Sequence, residues 1–306
     1  MHDPLVVFQQ KIEPSTYFVE RESNSLDSVF TTLTKHRRVA VTGLPGVGKT
    51  ELCNQIVLKA RDVKKSYKAI FWLSAESDAS IQLGLLEMAR KMNLYNEADV
   101  DATKLRESIV NELNREDDWL MVLDNVDDVD VIESILAEQR GNRHLLITTR
   151  DHSSCNEIFA EEVHLDVMNK TEARRLLLGS CAPEVTDNDK ASELVDELSC
   201  LPLAIIQAAA YLRATRDKIK SYTELYRRSR AFIWNWMPRK QRFKDPNGRS
   251  YVSVATTMML AFEKIKHEEL SVRLFCLLSF FSSNNIPELL FTDDPGFQDE
   301  ELRQCF

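Results

Sequence analysis

Residues Gly43–Thr50 read GLPGVGKT: three glycines and a proline within six positions, followed at once by a lysine and a threonine. A simple turn needs one glycine, so the flanks must explain the rest. RRVAVTG (Arg37–Gly43) is a short apolar run ending in glycine and reads as a strand. After Thr50, the residues Leu52, Cys53, Ile56, Val57 and Ala60 recur at helical spacing. The stretch is therefore GxxxxGK[ST] between a strand and a helix, the context that motif requires. Its glycines let backbone N–H groups curl around a phosphate without side-chain clash. A helix starting near Gly48 aims its unpaired N–H groups and its positive dipole end at the same anion. The candidate anion-binding residues are Gly43, Gly46, Val47, Gly48, Lys49, Thr50 and Glu51. Lys49 would reach the outer phosphates, and the Thr50 hydroxyl would serve Mg²⁺.

The pattern continues as strands alternating with helices. KAIFWLSA (Lys68–Ala75), WLMVLD (Trp119–Asp124), HLLITT (His144–Thr149) and EVHLDV (Glu162–Val167) read as further strands. Helical spacings at Ile81/Leu85/Met88/Met92 and Leu105/Ile109/Val110/Leu113 fall between the first two, and VIESILAEQR reads as a short helix. This predicts an α/β fold with a parallel sheet. Asp124 ends a buried strand, where a carboxylate can hold Mg²⁺ through water. Asn125 follows it, where a phosphate-loop hydrolase usually has a carboxylate to polarise water. An amide orients water but cannot accept its proton, so slow turnover is expected unless Asp127 or Asp128 substitutes. Arg150, after the fourth strand, would face the ligand crevice and sense a terminal phosphate.

Beyond residue 168 the strands stop. An Asn169/Glu172 capping box opens a helix, a second carries Ala191, Leu194, Val195 and Leu198, and a third begins at Pro202. A fourth is expected from a Ser221/Glu224 capping box to about Met237. The predicted organisation is a lead-in over 1–36, a nucleotide-binding domain over 37–167, a helical bundle over 168–237, a linker over 238–250 and a truncated further domain over 251–306.

The net charge of −9 argues against tight non-specific nucleic-acid or lipid binding. The basic residues between Arg227 and Lys244, interleaved with Phe232, Trp234 and Trp236, read as a helix with its aromatic face buried rather than a base-stacking surface. The six cysteines (Cys53, Cys155, Cys181, Cys200, Cys276 and Cys305) show no metal-ligand spacing and suit free thiols in a reducing, cytoplasmic setting. The longest apolar run, LPLAIIQAAAYL, is too short to span a bilayer.

Together FVERE (Phe18–Glu22), GLPGVGKT, IFWLSAES (Ile70–Ser77), LMVLDNVDD (Leu120–Asp128), LLITTRD (Leu145–Asp151) and CLPLA (Cys200–Ala204) resemble the NB-ARC module of signal-transduction ATPases with numerous domains, the STAND class that includes NOD-like receptors. SVATTMMLAFEKI (Ser253–Ile265) resembles the start of that class's winged-helix domain, with a fungal flavour. The resemblance implies an α/β P-loop NTPase fold, then a helical bundle and a partial winged-helix domain. It implies that Val19 and Arg21 lie near the adenine, that Pro202 packs on adenine or ribose, and that Arg150 is the sensor arginine. Two departures bear on backbone geometry: Glu20 and Cys200 stand where the family usually has glycine. The implied function is an ADP/ATP-binding, Mg²⁺-dependent signalling switch of immunity or cell-death type. Hydrolysis would be slow, exchange for ATP would swing the later domains and permit self-oligomerisation, and the effector and sensor domains would lie outside this chain. The rival readings are a turnover P-loop ATPase or small-molecule kinase, and a nucleic-acid-handling ATPase.

Overall fold

The computed structural model describes residues 5–8, 12–62, 67–94, 102–126, 128–133, 135–136, 141–152, 156, 158, 160–181, 187–236 and 252–278. Its strands are β1 (Leu5–Phe8), β2 (Arg38–Thr42), β3 (Ala69–Ser74), β4 (Trp119–Asp124), β5 (Arg143–Thr148) and β6 (Glu161–His164). They form one sheet in the order β1-β3-β4-β5-β2-β6, with every pair parallel. The interior strands are buried at nearly every position because helices cover both faces.

Alternate residues feed two cores. Ile70, Trp72, Leu120, Val122, Val39 and Val41 meet Leu33 of α1 (Leu26–His36) and Ile56 of α2 (Lys49–Asp62) on one face. Phe71, Leu73, Met121, Leu123 and Ile147 meet Leu85 of α3 (Asp78–Lys91) and Ile109 of α4 (Ala102–Arg115) on the other. A single turn, α5 (Asp130–Glu133), precedes β5.

Helices α6 (Lys170–Ser180), α7 (Asn188–Glu197), α8 (Pro202–Thr215), α9 (Ile219–Trp236), α10 (Val252–Ile265) and α11 (Glu269–Leu278) follow. Asn169 caps α6 in a full capping box with Glu172, and Pro202 is the first residue of α8. Buried Leu176, Leu177, Leu194, Ile205 and Leu212 join the first core, so this helical layer and one face of the sheet share a continuous apolar cluster.

Three expectations change. Leu5–Phe8, within the segment read as a lead-in, is a sheet strand paired with β3. β6 stops at His164 rather than Val167; the Asp166 carboxylate takes the Val167 N–H at 2.7 Å, a local bond that competes with the ladder. The fourth helix of the bundle does not start at a Ser221 cap. The Tyr222 N–H already bonds the Lys218 carbonyl at 3.1 Å, which puts Ser221 inside the first turn. The expected linker 238–250, and residues 251 and 279–306 of the expected winged-helix domain, lie outside the described residues. Among the described residues no helix is long and apolar enough to cross a membrane.

Candidate nucleotide-binding site

The glycine loop is built where β2 ends. Gly43 has φ +140°, and a Cβ there would lie 2.2 Å from the Leu165 carbonyl oxygen. Gly46 has φ +76°, its carbonyl accepts the Leu203 N–H at 3.2 Å, and a Cβ would lie 3.0 Å from that of Leu203. The first glycine lets the chain pass β6, and the second lets the first turn of α8 sit on the loop. Lys49, the first residue of α2, is buried, and its ammonium donates to the Gly43 and Leu44 carbonyls at 2.8 and 3.1 Å. The cation thus stays inside the bend rather than in solvent.

Asp124, at the end of β4, accepts from the Thr50 hydroxyl at 3.0 Å and from Thr148 at 2.6 Å. The Thr148 oxygen in turn accepts the Asn125 N–H at 2.7 Å, and Asn125 sits at φ +64°. Burial raises the Asp124 carboxyl above its ordinary value, against the opposing pull of Thr148, Thr50 and Lys49. Arg150 follows β5, which lies directly beside β2.

The segment before α1 is tied to this loop by Arg21. Its buried guanidinium donates to the carbonyls of Val47 and Asp166. Burial lowers its pKa, while the nearby Glu172 and Asp166 carboxylates push the other way. Glu172 is itself buried and accepts from the Glu22 and Asn169 N–H groups at 2.8 and 3.0 Å. The two departures from glycine resolve differently. Glu20 does not occupy the left-handed region, and its carboxylate accepts the Leu26 N–H at 2.8 Å at the start of α1. Cys200 does occupy it, at φ +52°, a conformation in which glycine would be unstrained.

These pieces surround a cavity of about 450 Å³, within the usual range for a small-ligand site. Val19, Arg21, Gly46, Val47, Gly48, Lys49, Thr50, Glu51, Asn125, Arg150 and Pro202 all line it. Gly43 and Asp124 do not; the first shapes the bend, and the second reaches the cavity through Thr50. Sequence reasoning missed Tyr17, Leu203 and Ile206, which complete the apolar wall. Leu203 and Ile206 follow Pro202 at helical spacing, which marked α8 without telling a ligand-facing side from a core-facing one. The Thr50 hydroxyl and the Asp124 carboxylate converge on one oxygen-rich point, a donor set that fits Mg²⁺. Asp127 lies outside the described residues, and Glu51 is the only carboxylate among the described residues lining the cavity.

In the basic stretch of α9 the expectation of a buried aromatic face is tested at Phe232 alone, since the side chains of Trp234 and Trp236 and residues 237–244 lie outside those described. Phe232 is 65% exposed, not buried. Arg227 and Arg230 are engaged in ion pairs with Glu193 and Glu197 of α7.

A parallel sheet whose β2 runs through a glycine loop into α2, with a carboxylate ending β4, defines an α/β P-loop nucleotide-binding fold. The NB-ARC domain family matches residues 22–185, more than half of the chain, and the chain belongs to that family. A nucleotide-binding leucine-rich repeat (NLR)-like protein of Hyaloscypha variabilis is 28% identical over 96% of this chain. A candidate disease resistance protein of Arabidopsis thaliana is 23% identical over 65% of it. The chain spans only 32% and 23% of the lengths of these relatives. Among solved structures, it resembles a Walker-type ATPase of Pyrococcus abyssi, with 11% identity, a TM-score of 0.44 and coverage of 72% of this chain and 78% of that one. It also resembles a STAND protein with a tetratricopeptide repeat sensor from Pyrococcus horikoshii, with 18% identity, a TM-score of 0.42 and coverage of 66% and 31%.

Proposed function

We propose that this chain is the nucleotide-operated switch of a cytoplasmic signalling protein of the NLR type, holding ADP in one state and ATP in the other. The observation that carries this reading is the cavity. Its walls come from the phosphate loop, from the segment before α1 and from the first turns of α8, so one ligand touches parts that could otherwise separate. In this reading the loop N–H groups and Lys49 hold the phosphates. Thr50, with Asp124 acting through water, holds Mg²⁺, which would neutralise phosphate charge. Val19, Tyr17, Pro202 and Ile206 enclose the base and ribose. The helical layer from residue 168 onward acts as a separate domain that closes on the nucleotide, and 251–306 begins a winged-helix domain.

Arg150 distinguishes the two nucleotides in this reading. A charged hydrogen bond to a terminal phosphate contributes about 1.5–3 kcal/mol. Moving a population from 1:99 to 99:1 takes about 5.5 kcal/mol of differential binding. One arginine therefore biases the switch without throwing it. Contacts from further domains, or from other copies in a signalling oligomer, supply the remainder. Asn125 beside Asp124, with Glu51 the sole carboxylate among the described residues lining the cavity, supports slow hydrolysis over a turnover ATPase or kinase.

Calorimetric titration of ADP and ATP·Mg²⁺ into the wild type and Arg150→Ala tests the reading. ATP affinity is expected to fall about 10- to 150-fold, with ADP affinity unchanged. Equal loss for both nucleotides would remove Arg150 from the sensing role.

A further inference from the structure

On the far side of β2 from β5, the edge strand β6 carries Glu162 and His164 two positions apart. Both side chains therefore leave the same face of the strand, and both are exposed, while Val163 between them is buried. His152, in the segment after β5, comes up against them. Its Nδ1 hydrogen-bonds the Glu162 carboxylate, and its ring centroid lies 5.1 Å from that of His164. One ring nitrogen of each histidine and one Glu162 oxygen lie within 4.8 Å of one another.

Thr42 supports this cluster from β2, directly paired with His164 in the ladder. Its hydroxyl has one proton, which it donates to the Glu162 carboxylate. Its 3.1 Å contact with His164 Nδ1 is therefore accepted from an Nδ1–H. That tautomer leaves the Nε2 lone pair of His164 available and gives the ring the kind of hydrogen-bonded backing that metal-ligating histidines have. His152 donates from Nδ1 to Glu162, so to share a cation with that carboxylate its exposed ring must turn and exchange this hydrogen bond for the metal.

We infer that His152, Glu162 and His164 bind one divalent cation of the Zn²⁺, Ni²⁺ or Cu²⁺ class, with solvent completing its coordination. Two imidazoles and a carboxylate suit such cations, whereas Mg²⁺ and Ca²⁺ prefer all-oxygen ligand sets. Ligands about 2.0–2.2 Å from one cation stand roughly 3 Å apart, so the donors keep within their present 4.8 Å while the direct His152–Glu162 hydrogen bond gives way to the metal. Turning the exposed His152 ring accomplishes this and leaves the strand and the Thr42–His164 contact in place. The cation joins β6 and the segment after β5 to Thr42, the residue immediately before the phosphate loop, at a place separate from Thr50 and Asp124.

The test is calorimetric titration of Zn²⁺ into nucleotide-free protein whose accessible thiols have been alkylated, with Co²⁺ absorption in the visible as a second readout. One equivalent is expected to bind at micromolar protein. His152→Ala and Glu162→Gln should each weaken it by about tenfold or more, and Asp124→Asn should leave it unchanged. Metal-free melting temperatures of the exposed His152→Ala variant should match the wild type, which shows that any loss is not unfolding. Absence of a saturable equivalent in the wild type would overturn the inference. So would unchanged binding in the triple variant His152→Ala, Glu162→Gln, His164→Ala.

Discussion

Gly46→Ala strikes the contact through which the phosphate loop and the helical layer meet. Gly46 sits at φ +76°, and an added Cβ would lie 3.0 Å from Leu203 Cβ and 3.1 Å from Leu203 Cδ2. Two separate costs follow. Holding a residue with a Cβ in left-handed backbone costs about 1–2 kcal/mol, whether or not α8 is docked. Crowding against Leu203 costs about 1–3 kcal/mol, and only while the first turn of α8 rests on the loop. If nucleotide requires that docked arrangement, the second cost alone enters its affinity, and ADP should bind roughly 5- to 150-fold more weakly. Both costs enter thermal stability, so the melting temperature should also drop by several degrees. Fluorescence anisotropy with a labelled ADP measures the first effect, and a melt measures the second. Leu203→Ala removes Cδ2 but keeps Cβ, so the double variant should recover part of the affinity. Wild-type affinity in Gly46→Ala, or a loss that Leu203→Ala leaves untouched, would refute the argument that this contact closes the site.

Other outcomes follow from the same geometry. Asp124→Asn should abolish the Mg²⁺ dependence of ATP binding, yet raise the melting temperature of the nucleotide-free protein at neutral pH. The amide oxygen still accepts from Thr50 and Thr148, and a buried charge is removed. Because burial raises the folded-state pKa of Asp124, its contribution to stability is fully present below 3.8, its unfolded value, and is lost as pH rises through the folded value. The advantage of the Asn variant should therefore grow over that window and then level off; a pH-independent difference in melts would contradict the assignment. Tyr222→Phe should raise the melting temperature by a few degrees. Its buried hydroxyl has no hydrogen-bond partner among the described residues, a desolvation cost of about 1–3 kcal/mol. A lower melting temperature would show that the hydroxyl is satisfied.

Much of this fold was legible in sequence because its signals are local. β4 was read residue for residue, since a strand buried on both faces must be continuously apolar. Asn169, Glu172 and Pro202 mark helix starts through bonds they make within one turn. β1 was not legible. Four residues are too few to show a period, and their role exists only through pairing with β3 more than sixty positions away. The start of α9 was misjudged because serine and glutamate at capping-box spacing also occur inside helices. In the site, the polar half announced itself, since glycine, lysine and carboxylate are costly where they stand unless they hold something. The apolar half did not. Tyr17, Leu203 and Ile206 are ordinary core-type residues, and only tertiary packing turns their faces toward a cavity. Arg21 was placed near the ligand by resemblance, but its bonds to the Val47 and Asp166 carbonyls, which brace the loop, come from contacts across the chain.

The central claim is that the bend between β2 and α2 grips the phosphates of an adenine nucleotide, with Lys49 as counter-charge. Chromatography of the small molecules released on denaturing purified protein, with and without prior incubation in ADP·Mg²⁺, tests it most directly. One equivalent of ADP should accompany the wild type through gel filtration and be lost from Lys49→Ala. A folded Lys49→Ala protein that still carries stoichiometric ADP, or a wild type that retains none after loading, would contradict it.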